Sequence, residues 1–305
     1  MKKRLPVVLL ALALCLAASP SFAATFSVPG RVSQGHAFPV SIQDERPFTA
    51  TVLWRGEALR VKAVKSPTRS QWKAEALLAF PLDASSDEVL SIALRDEQHD
   101  FVVMPLAVTW PRSILKVAPK YVAPPPQAMP QIERDRERAR KALATRTAKR
   151  WSLPVARPVP GGVTSAFGGR RVFNDQPRAP HKGTDMRCAE GTPVKAVCSG
   201  AVLFATDTYF GGKTVYLDHG QGVISTYSHL SAFDVKAGDR VRKGQVIGRS
   251  GATGRVTGPH LHFGFYVQGV AVDAVPLMSS PPRLTGGPTS TLFDQQPKAA
   301  PRSPR

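Results

Sequence analysis

Apolar and polar residues alternate along the first part of the chain. Segments 37–42, 51–54, 88–94 and 101–104 carry apolar side chains at every second position, with turn-forming residues between the segments. Consecutive side chains of a strand point to opposite faces, so a period of two predicts short strands with one buried face. The pattern over residues 24–110 therefore predicts a small antiparallel β-sandwich.

A second β-rich region follows and is punctuated by glycine. Its predicted strands are 194–197, 201–204, 214–217 and 223–227. Gly211-Gly212 and Gly220-Gln221-Gly222 supply turns between consecutive strands. Residues 151–278 are accordingly predicted to form a compact all-β domain without helices.

Residues 111–150 separate these two regions and read as a linker. Proline occupies positions 124–126 and 130, and the segment 131–149 is rich in Glu, Arg and Ala. Proline suits the first turn of a helix, so a charged helix is expected here. It lacks a broad apolar face, which favours a solvated connector over a membrane contact.

The two ends of the chain carry different signals. Residues 1–23 combine a basic start, an apolar run and a small-x-small site at Ser21-Phe22-Ala23, as in a cleaved secretory signal peptide. The alternative of a membrane anchor is disfavoured because the run is shorter than the ~20 residues that cross a bilayer. Residues 279–305 are rich in Pro, Ser, Thr, Gly and basic residues, which predicts a disordered basic tail. The predicted signal peptide indicates a periplasmic or secreted protein.

The chain is strongly basic. Removing Lys2, Lys3 and Arg4 with the signal peptide lowers the formal charge from +19 to +16, since residues 1–23 contain no acid. Such an excess favours anionic surroundings, and export makes anionic envelope polymers a better hypothesis than nucleic acid. The sandwich carries no catalytic constellation, so we expect it to gate or position the second domain, or to bind an envelope protein.

Two cysteines remain after removal of the signal peptide. Cys188 and Cys198 lie ten positions apart. An oxidising compartment permits a disulfide, but the spacing does not establish the geometry that one needs. A disulfide and two buried thiols are both compatible with the sequence.

Histidines concentrate in the second domain. Five of the seven fall between positions 181 and 262, whereas His36 and His99 are isolated. His181 and Asp185 would share one face of a strand. His260 and His262 alternate with Leu261 and Phe263, so both imidazoles should project from one face while the apolar side chains enter the core.

This set of residues predicts one zinc ion per chain. Two neutral imidazoles, one carboxylate and a water form the open four-coordinate site of hydrolytic zinc enzymes. No His-Glu-x-x-His motif is present, so the glutamate base of that motif needs a substitute. A histidine can exchange protons near neutral pH, and His229 and His260 are the candidates.

At these residues the chain resembles the lysostaphin/LytM-type zinc endopeptidases of bacterial cell wall. The resemblance runs from about residue 162 to 273. It rests on three motifs in the family's order: His181-x-x-x-Asp185, Tyr227-x-His229-Leu230 and Gly258-Pro259-His260-Leu261-His262-Phe263.

The resemblance implies roles for individual residues. It makes His181, Asp185 and His262 the zinc ligands, and His229 and His260 the pair that activates water and steadies the tetrahedral intermediate. His219 has no ligand role and is interpreted as structural, while Asn174 and Arg171 either hold substrate or pack loops. The implied substrate is peptidoglycan, with a lean towards D-alanyl–diaminopimelate cross-links.

Other functions remain as alternatives. Some relatives have lost the ligands and activate other wall hydrolases, but all five key positions are present here. A secreted glycyl-glycine endopeptidase is a second alternative. Residues 235–248 look like the repeat of biotinyl and lipoyl carrier domains, yet offer no clear lysine at a hairpin tip.

Overall fold

The computed structural model describes residues 24–279 of the chain. The predicted signal peptide, and the predicted tail beyond Ser279, lie outside the described residues. Within them the fold is mainly β, as predicted: a sandwich, a linker with one longer helix, and a second β domain. None of the helices in residues 24–279 is long and apolar enough to cross a membrane.

The amino-terminal sandwich consists of two sheets. Its strands are β1 (Thr25–Ser27), β2 (Arg31–Ser33), β3 (Ala37–Asp44), β4 (Thr49–Trp54), β5 (Glu57–Lys62), β6 (Val64–Lys65), β7 (Trp72–Ala79), β8 (Glu88–Leu94) and β9 (Glu97–Leu106). One sheet has the order β1-β3-β7-β6 and the other β2-β9-β8-β4-β5. Burial alternates along β3 and β4, as the sequence predicts. Contrary to a purely antiparallel prediction, β2 and β9 are parallel.

Strand β7 joins the sandwich to the second domain. Ala76 and Leu78 face the core of the sandwich, whereas Leu77 and Ala79 belong to the core of the second domain. Both faces of this strand are therefore buried. Because burial of each leucine contributes about 1.5–3 kcal/mol, the two domains are held by packing as well as by the linker.

The linker follows the surface of the second domain. It contains strand β10 (Arg112–Leu115), two 3₁₀ turns (Pro119–Tyr121 and Pro126–Ala128) and helix α1 (Met129–Leu143). The helix begins earlier and ends earlier than the predicted 131–149. It stops because the following residues bind the second domain: Gln221 N–H donates to the Thr147 carbonyl (2.8 Å), and Thr147 Oγ1 donates to Asp218 (2.6 Å).

The second domain is built on a ten-stranded antiparallel sheet. Its strands, with those of a small neighbouring sheet, are β11 (Val163–Ser165), β12 (Arg170–Phe173), β13 (Gln176–Arg178), β14 (Thr184–Arg187), β15 (Pro193–Lys195), β16 (Gly200–Thr208), β17 (Gly212–Asp218), β18 (Val223–Phe233), β19 (Arg240–Val241), β20 (Val246–Ser250), β21 (His260–Val267) and β22 (Val270–Ala271). The main order is β11-β14-β21-β18-β17-β16-β19, and β12 pairs with β13 and, in parallel, with linker strand β10.

Two details of this domain differ from the prediction. A short helix, α2 (Val275–Met278), closes its carboxy-terminal edge although no helix was expected. Strand β15 ends at Lys195, before the predicted 197, because Val197 N–H donates to the buried Tyr227 hydroxyl (3.0 Å) and so leaves the ladder. The predicted glycine turns are present, with φ of +59° at Gly212 and +84° at Gly220.

Candidate metal centre and active site

Two neighbouring strands bring the predicted ligands together. Strands β14 and β21 are antiparallel partners in which Asp185 lies directly opposite His262. The expectation that His181 and Asp185 share one strand is wrong, because β14 begins at Thr184. His181 lies in the segment before the strand and turns its ring towards the same point.

The three candidate ligand atoms form a small triangle. His181 Nε2 lies 2.9 Å from His262 Nδ1 and 3.1 Å from Asp185 Oδ1, and the remaining edge from His262 Nδ1 to Asp185 Oδ1 is 2.8 Å. A tetrahedral ion with bonds of about 2.0–2.1 Å has ligand atoms about 3.3 Å apart. Shifts of a few tenths of an ångström would therefore admit one ion.

The contacts of His181 indicate that the unprotonated nitrogen of its ring is directed at this triangle. Its other ring nitrogen, Nδ1, lies 3.0 Å from the Ala166 carbonyl, which can only accept a hydrogen bond. Nδ1 then carries the proton of the neutral ring, and Nε2 presents its lone pair to His262 and Asp185. Such an outer hydrogen bond is the usual way to orient a metal-binding histidine.

Asp185 is oriented in the same manner. Arg171 Nη2 donates to Asp185 Oδ2 (2.7 Å), which leaves Oδ1 facing both imidazoles. Burial opposes the charged carboxylate, but the adjacent His181 and His262 rings hold its pKa well below the ordinary range. Burial likewise lowers the pKa of His181 to about 4. At neutral pH the centre therefore offers an anionic carboxylate and a neutral imidazole, the protonation states that metal ligands need.

No other group of three or more candidate ligands clusters within residues 24–279. The two further histidines of the predicted site lie beside the triangle. The His229 ring is 4.9 Å from the His260 ring and 5.9 Å from the His262 ring, measured between centroids. His260 Nε2 is 3.8 Å from Asp185 Oδ1. All five predicted residues are thus gathered at one centre.

Backbone carbonyls set the orientation of this histidine pair. His229 Nδ1 donates to the Thr253 carbonyl (2.8 Å), and His260 Nδ1 donates to the Gly258 carbonyl (2.8 Å). In the neutral form of each ring, Nε2 is therefore the nitrogen that carries no proton. Burial, followed by the charges of His262 and His260, lowers the pKa of His229 to about 3, so this ring is neutral at physiological pH.

A strained backbone aims His229 at the site. Its φ is +66°, a left-handed conformation that costs a residue with a Cβ about 1–2 kcal/mol. The ladder between β17 and β18 shifts register between the Lys213–Leu230 and Val215–Tyr227 pairs. Such a bulge redirects a side chain and is common beside active sites. Neither feature is readable from the sequence.

Gly183 makes room for the metal centre. A Cβ at this position would lie 2.6 Å from His262 Cε1, 2.7 Å from His262 Nε2 and 2.7 Å from the Phe263 carbonyl oxygen. Any side chain here would push the ring of one ligand away from the other two.

We therefore expect Gly183→Ala to weaken metal binding by at least about tenfold, the lower range for changes that disturb ligand orientation. Competition with a chromophoric chelator measures this affinity. The control is Gly162→Ala in the same domain, since no atom lies within 4 Å of a Cβ there and its φ is not positive. Equal metal affinities of the two variants would contradict the proposed crowding.

The other residues singled out in the sequence lie outside the ligand triangle. His219 is fully buried between the Ser199 carbonyl (2.9 Å) and Ser225 Oγ (2.7 Å), which fits a structural role. Asn174 exchanges two hydrogen bonds with Val117 of the linker (3.0 and 2.9 Å) and so packs a loop. Arg171 donates to the candidate ligand Asp185, a contact that the sequence did not indicate.

The two cysteines are separate buried thiols in the structure. Cys188 Sγ donates to the Met186 carbonyl (3.6 Å), and Cys198 Sγ donates to the Ser152 carbonyl (3.5 Å). Burial raises the pKa of both thiols, which lowers their reactivity.

This geometry defines a class of protein. Two imidazoles and a carboxylate form the donor set of a metal-dependent hydrolase, and two further histidines lie beside them. Residues 179–274 match the model of Peptidase family M23. The carboxy-terminal domain of this chain therefore belongs to peptidase family M23.

Known relatives resemble this domain. The chain is 42% identical over 126 residues to the peptidoglycan DD-endopeptidase ShyA of Vibrio cholerae, covering 40% of this chain and 29% of ShyA. It is 43% identical over 106 residues to the glycyl-glycine endopeptidase ALE-1 of Staphylococcus capitis, covering 33% of this chain and 29% of ALE-1. The chain thus spans less than a third of these curated relatives.

A solved structure resembles more of the chain. A structure from Pseudomonas aeruginosa assigned to peptidase M23 has a TM-score of 0.58 and 29% sequence identity, and the match covers 76% of this chain and 89% of that one. The likeness therefore extends beyond the M23 domain into the linker and sandwich.

Proposed function

We propose that this chain is a zinc-dependent endopeptidase that hydrolyses peptide cross-links of peptidoglycan, at the bond between D-alanine and diaminopimelate. The observation that carries the proposal is the ligand triangle of His181, Asp185 and His262 beside the pair His229 and His260. The name of ShyA, a peptidoglycan DD-endopeptidase, supports the substrate.

The residues present fit zinc in number and kind. Two nitrogen donors and one oxygen donor within a triangle of 2.8–3.1 Å leave a fourth position for water. Zinc held there would lower the pKa of that water to about 7 and polarise the scissile carbonyl.

The chain's own histidines supply the proton transfers. Nε2 of His229 or His260, the ring nitrogen that does not bond a backbone carbonyl, accepts a proton as water adds to the scissile carbonyl carbon. The protonated ring then donates a hydrogen bond to the tetrahedral intermediate. When the C–N bond breaks, the proton passes to the leaving amine, so that one water is consumed and two chain ends are released.

Two other activities are tested by the same experiment. The likeness to ALE-1 keeps a glycyl-glycine endopeptidase as a second candidate. A non-catalytic activator of other wall hydrolases is the third, although the complete set of five site residues argues against it.

The decisive experiment incubates the chain from Ala24 onward, loaded with zinc, with two defined peptidoglycans: one directly cross-linked and one with glycine bridges. Mass spectrometry identifies the new chain ends. We expect new D-alanine carboxyl ends from the direct cross-links only. Cleavage of glycine bridges alone would favour the second candidate, and cleavage of neither would contradict hydrolysis.

The location and the role of the first domain are also proposals. We infer export to the periplasm or cell surface from residues 1–23, and contact with anionic envelope polymers from the basic charge. The linker lies close to the site, since Ser113 of its strand β10 pairs with Arg171, which donates to Asp185 (2.7 Å). This placement supports a restraining role for the linker, with the sandwich free to bind an envelope protein.

A further inference from the structure

Three arginine side chains meet beside the metal centre: Arg171, Arg178 and Arg255. Arg171 and Arg178 are direct cross-strand partners in the β12–β13 hairpin. The guanidinium carbons of Arg171 and Arg255 lie 5.8 and 4.9 Å from the centroid of the Phe173 ring. We call these three residues the arginine cluster.

The arginine cluster is electrostatically unfavourable by itself. Like charges directly opposite each other destabilise a strand pair. Burial, followed by the charges of Arg171 and Arg178, lowers the pKa of Arg255 to about 10. Among the described residues the cluster's only ion pair is that of Arg171 with Asp185, whose other oxygen faces the metal position. A local excess of positive charge remains.

The cluster also has unused hydrogen-bond donors. Only three buried side-chain polar atoms of residues 24–279 lack a partner, and two of them are Arg171 Nε and Arg178 Nε. The Arg255 guanidinium lies between the Phe173 and Phe210 rings, at 4.9 and 4.8 Å from their centroids. No described residue forms an ion pair or a side-chain hydrogen bond with it. The rings fix its plane while its N–H groups remain available.

The arginine cluster contacts one residue of the candidate active site and lies close in sequence to a residue that orients another. Arg171 donates to the ligand Asp185 (2.7 Å). Arg255 follows Thr253 by two positions, and the Thr253 carbonyl accepts the hydrogen bond that orients His229 (2.8 Å). A group bound by the cluster would therefore lie next to the bond that the metal centre attacks.

We propose that the arginine cluster is a carboxylate-binding subsite and that Arg255 is its specificity-determining residue. The inference rests on the proposed hydrolysis of peptidoglycan cross-links. In a D-alanyl–diaminopimelate cross-link, the carbon that bears the leaving amine also carries a free carboxylate. The corresponding carbon inside a glycine bridge carries only hydrogen. A planar guanidinium binds a carboxylate through two parallel hydrogen bonds, so the cluster selects the direct cross-link.

The first test needs no variant. The zinc-loaded wild-type protein is given two purified cross-linked muropeptide dimers that differ only in this carboxylate, which is free in one and amidated in the other. Hydrogen bonds to charged groups contribute about 1.5–3 kcal/mol, so kcat/KM should be about 10- to 100-fold higher for the free carboxylate.

The second test replaces the guanidinium. Arg255→Gln should lower kcat/KM on the free carboxylate by about 10- to 100-fold and change it less than about threefold on the amidated dimer. Arg255→Lys should recover part of the loss, since it keeps the charge without the planar fork. The matched control is Arg242→Gln, an exposed arginine of the same domain without an ion pair among the described residues.

The outcomes separate the subsite from the proposed function. Equal cleavage of the two dimers by wild type, or an equal loss on both in Arg255→Gln, would overturn the subsite while leaving the hydrolase intact. A wild-type protein that cleaves neither dimer would overturn the proposed function and the inference with it. Zinc content and melting temperature, measured on each variant, identify a loss that comes from unfolding.

Discussion

Replacing His262 by alanine is expected to abolish metal binding and cleavage together. The variant removes one corner of the ligand triangle but leaves the Arg171–Asp185 ion pair in place (2.7 Å). Loss of an outer hydrogen bond alone weakens metal affinity by about 10- to 100-fold. Loss of a ligand should therefore lower affinity, and with it activity, by at least about 100-fold.

Metal analysis after gel filtration measures this effect directly. Wild type should retain about one zinc per chain, as predicted for a site with three protein ligands and one open position. Asp185→Asn should behave like His262→Ala, although it also leaves the buried Arg171 without its partner. His219→Gln is the control, because this buried histidine bonds Ser199 and Ser225 instead of the metal position. Full zinc occupancy in His262→Ala would exclude this residue as a ligand.

Replacing His229 by alanine should separate chemistry from metal binding. His229 lies beside the triangle without being part of it, and its Nδ1 is already bonded to the Thr253 carbonyl. A positioned proton-transfer group contributes typically about 10²- to 10⁴-fold to the rate. We therefore expect kcat to fall by that factor while zinc content stays at the wild-type level.

His260→Ala provides the comparison for this experiment, since the two rings lie 4.9 Å apart and each uses Nδ1 to bond a backbone carbonyl. Initial rates on a soluble cross-linked muropeptide, with zinc measured on the same samples, give the answer. Near-normal turnover by both variants at neutral pH would place the proton-transfer group elsewhere. Loss of zinc from His229→Ala would instead make this residue a ligand.

The strands of the fold were predicted where one face of a strand is buried and the other is exposed. The predicted segment 88–94 coincides with β8 (Glu88–Leu94), whose Leu90, Ile92 and Leu94 are buried. Strand β7 was not predicted, because its Leu77 and Leu78 are both buried, in the cores of two different domains. Burial on both faces removes the alternation on which the prediction depends.

The members of the candidate site were predictable because their chemistry is local to short motifs. Alternation of His260 and His262 with buried Leu261 and Phe263 placed both imidazoles on one face, as the structure confirms. The contribution of Arg255 was not foreseen. It depends on contacts with Phe173 and Phe210, which are distant in sequence, and no local pattern marks it.

The sequence by itself determined the β class of both domains and the residues able to bind a metal, because the period of two and side-chain chemistry are local properties. Tertiary structure decided which atoms meet. The pairing of β14 with β21 places Asp185 opposite His262, 77 positions away, and the backbone at Ala166 and Thr253 selects the nitrogen that each ring presents. The register of the β12–β13 hairpin and the loop that carries Arg255 likewise bring the three residues of the arginine cluster together. These contacts depend on register and long-range packing, which no local segment encodes alone.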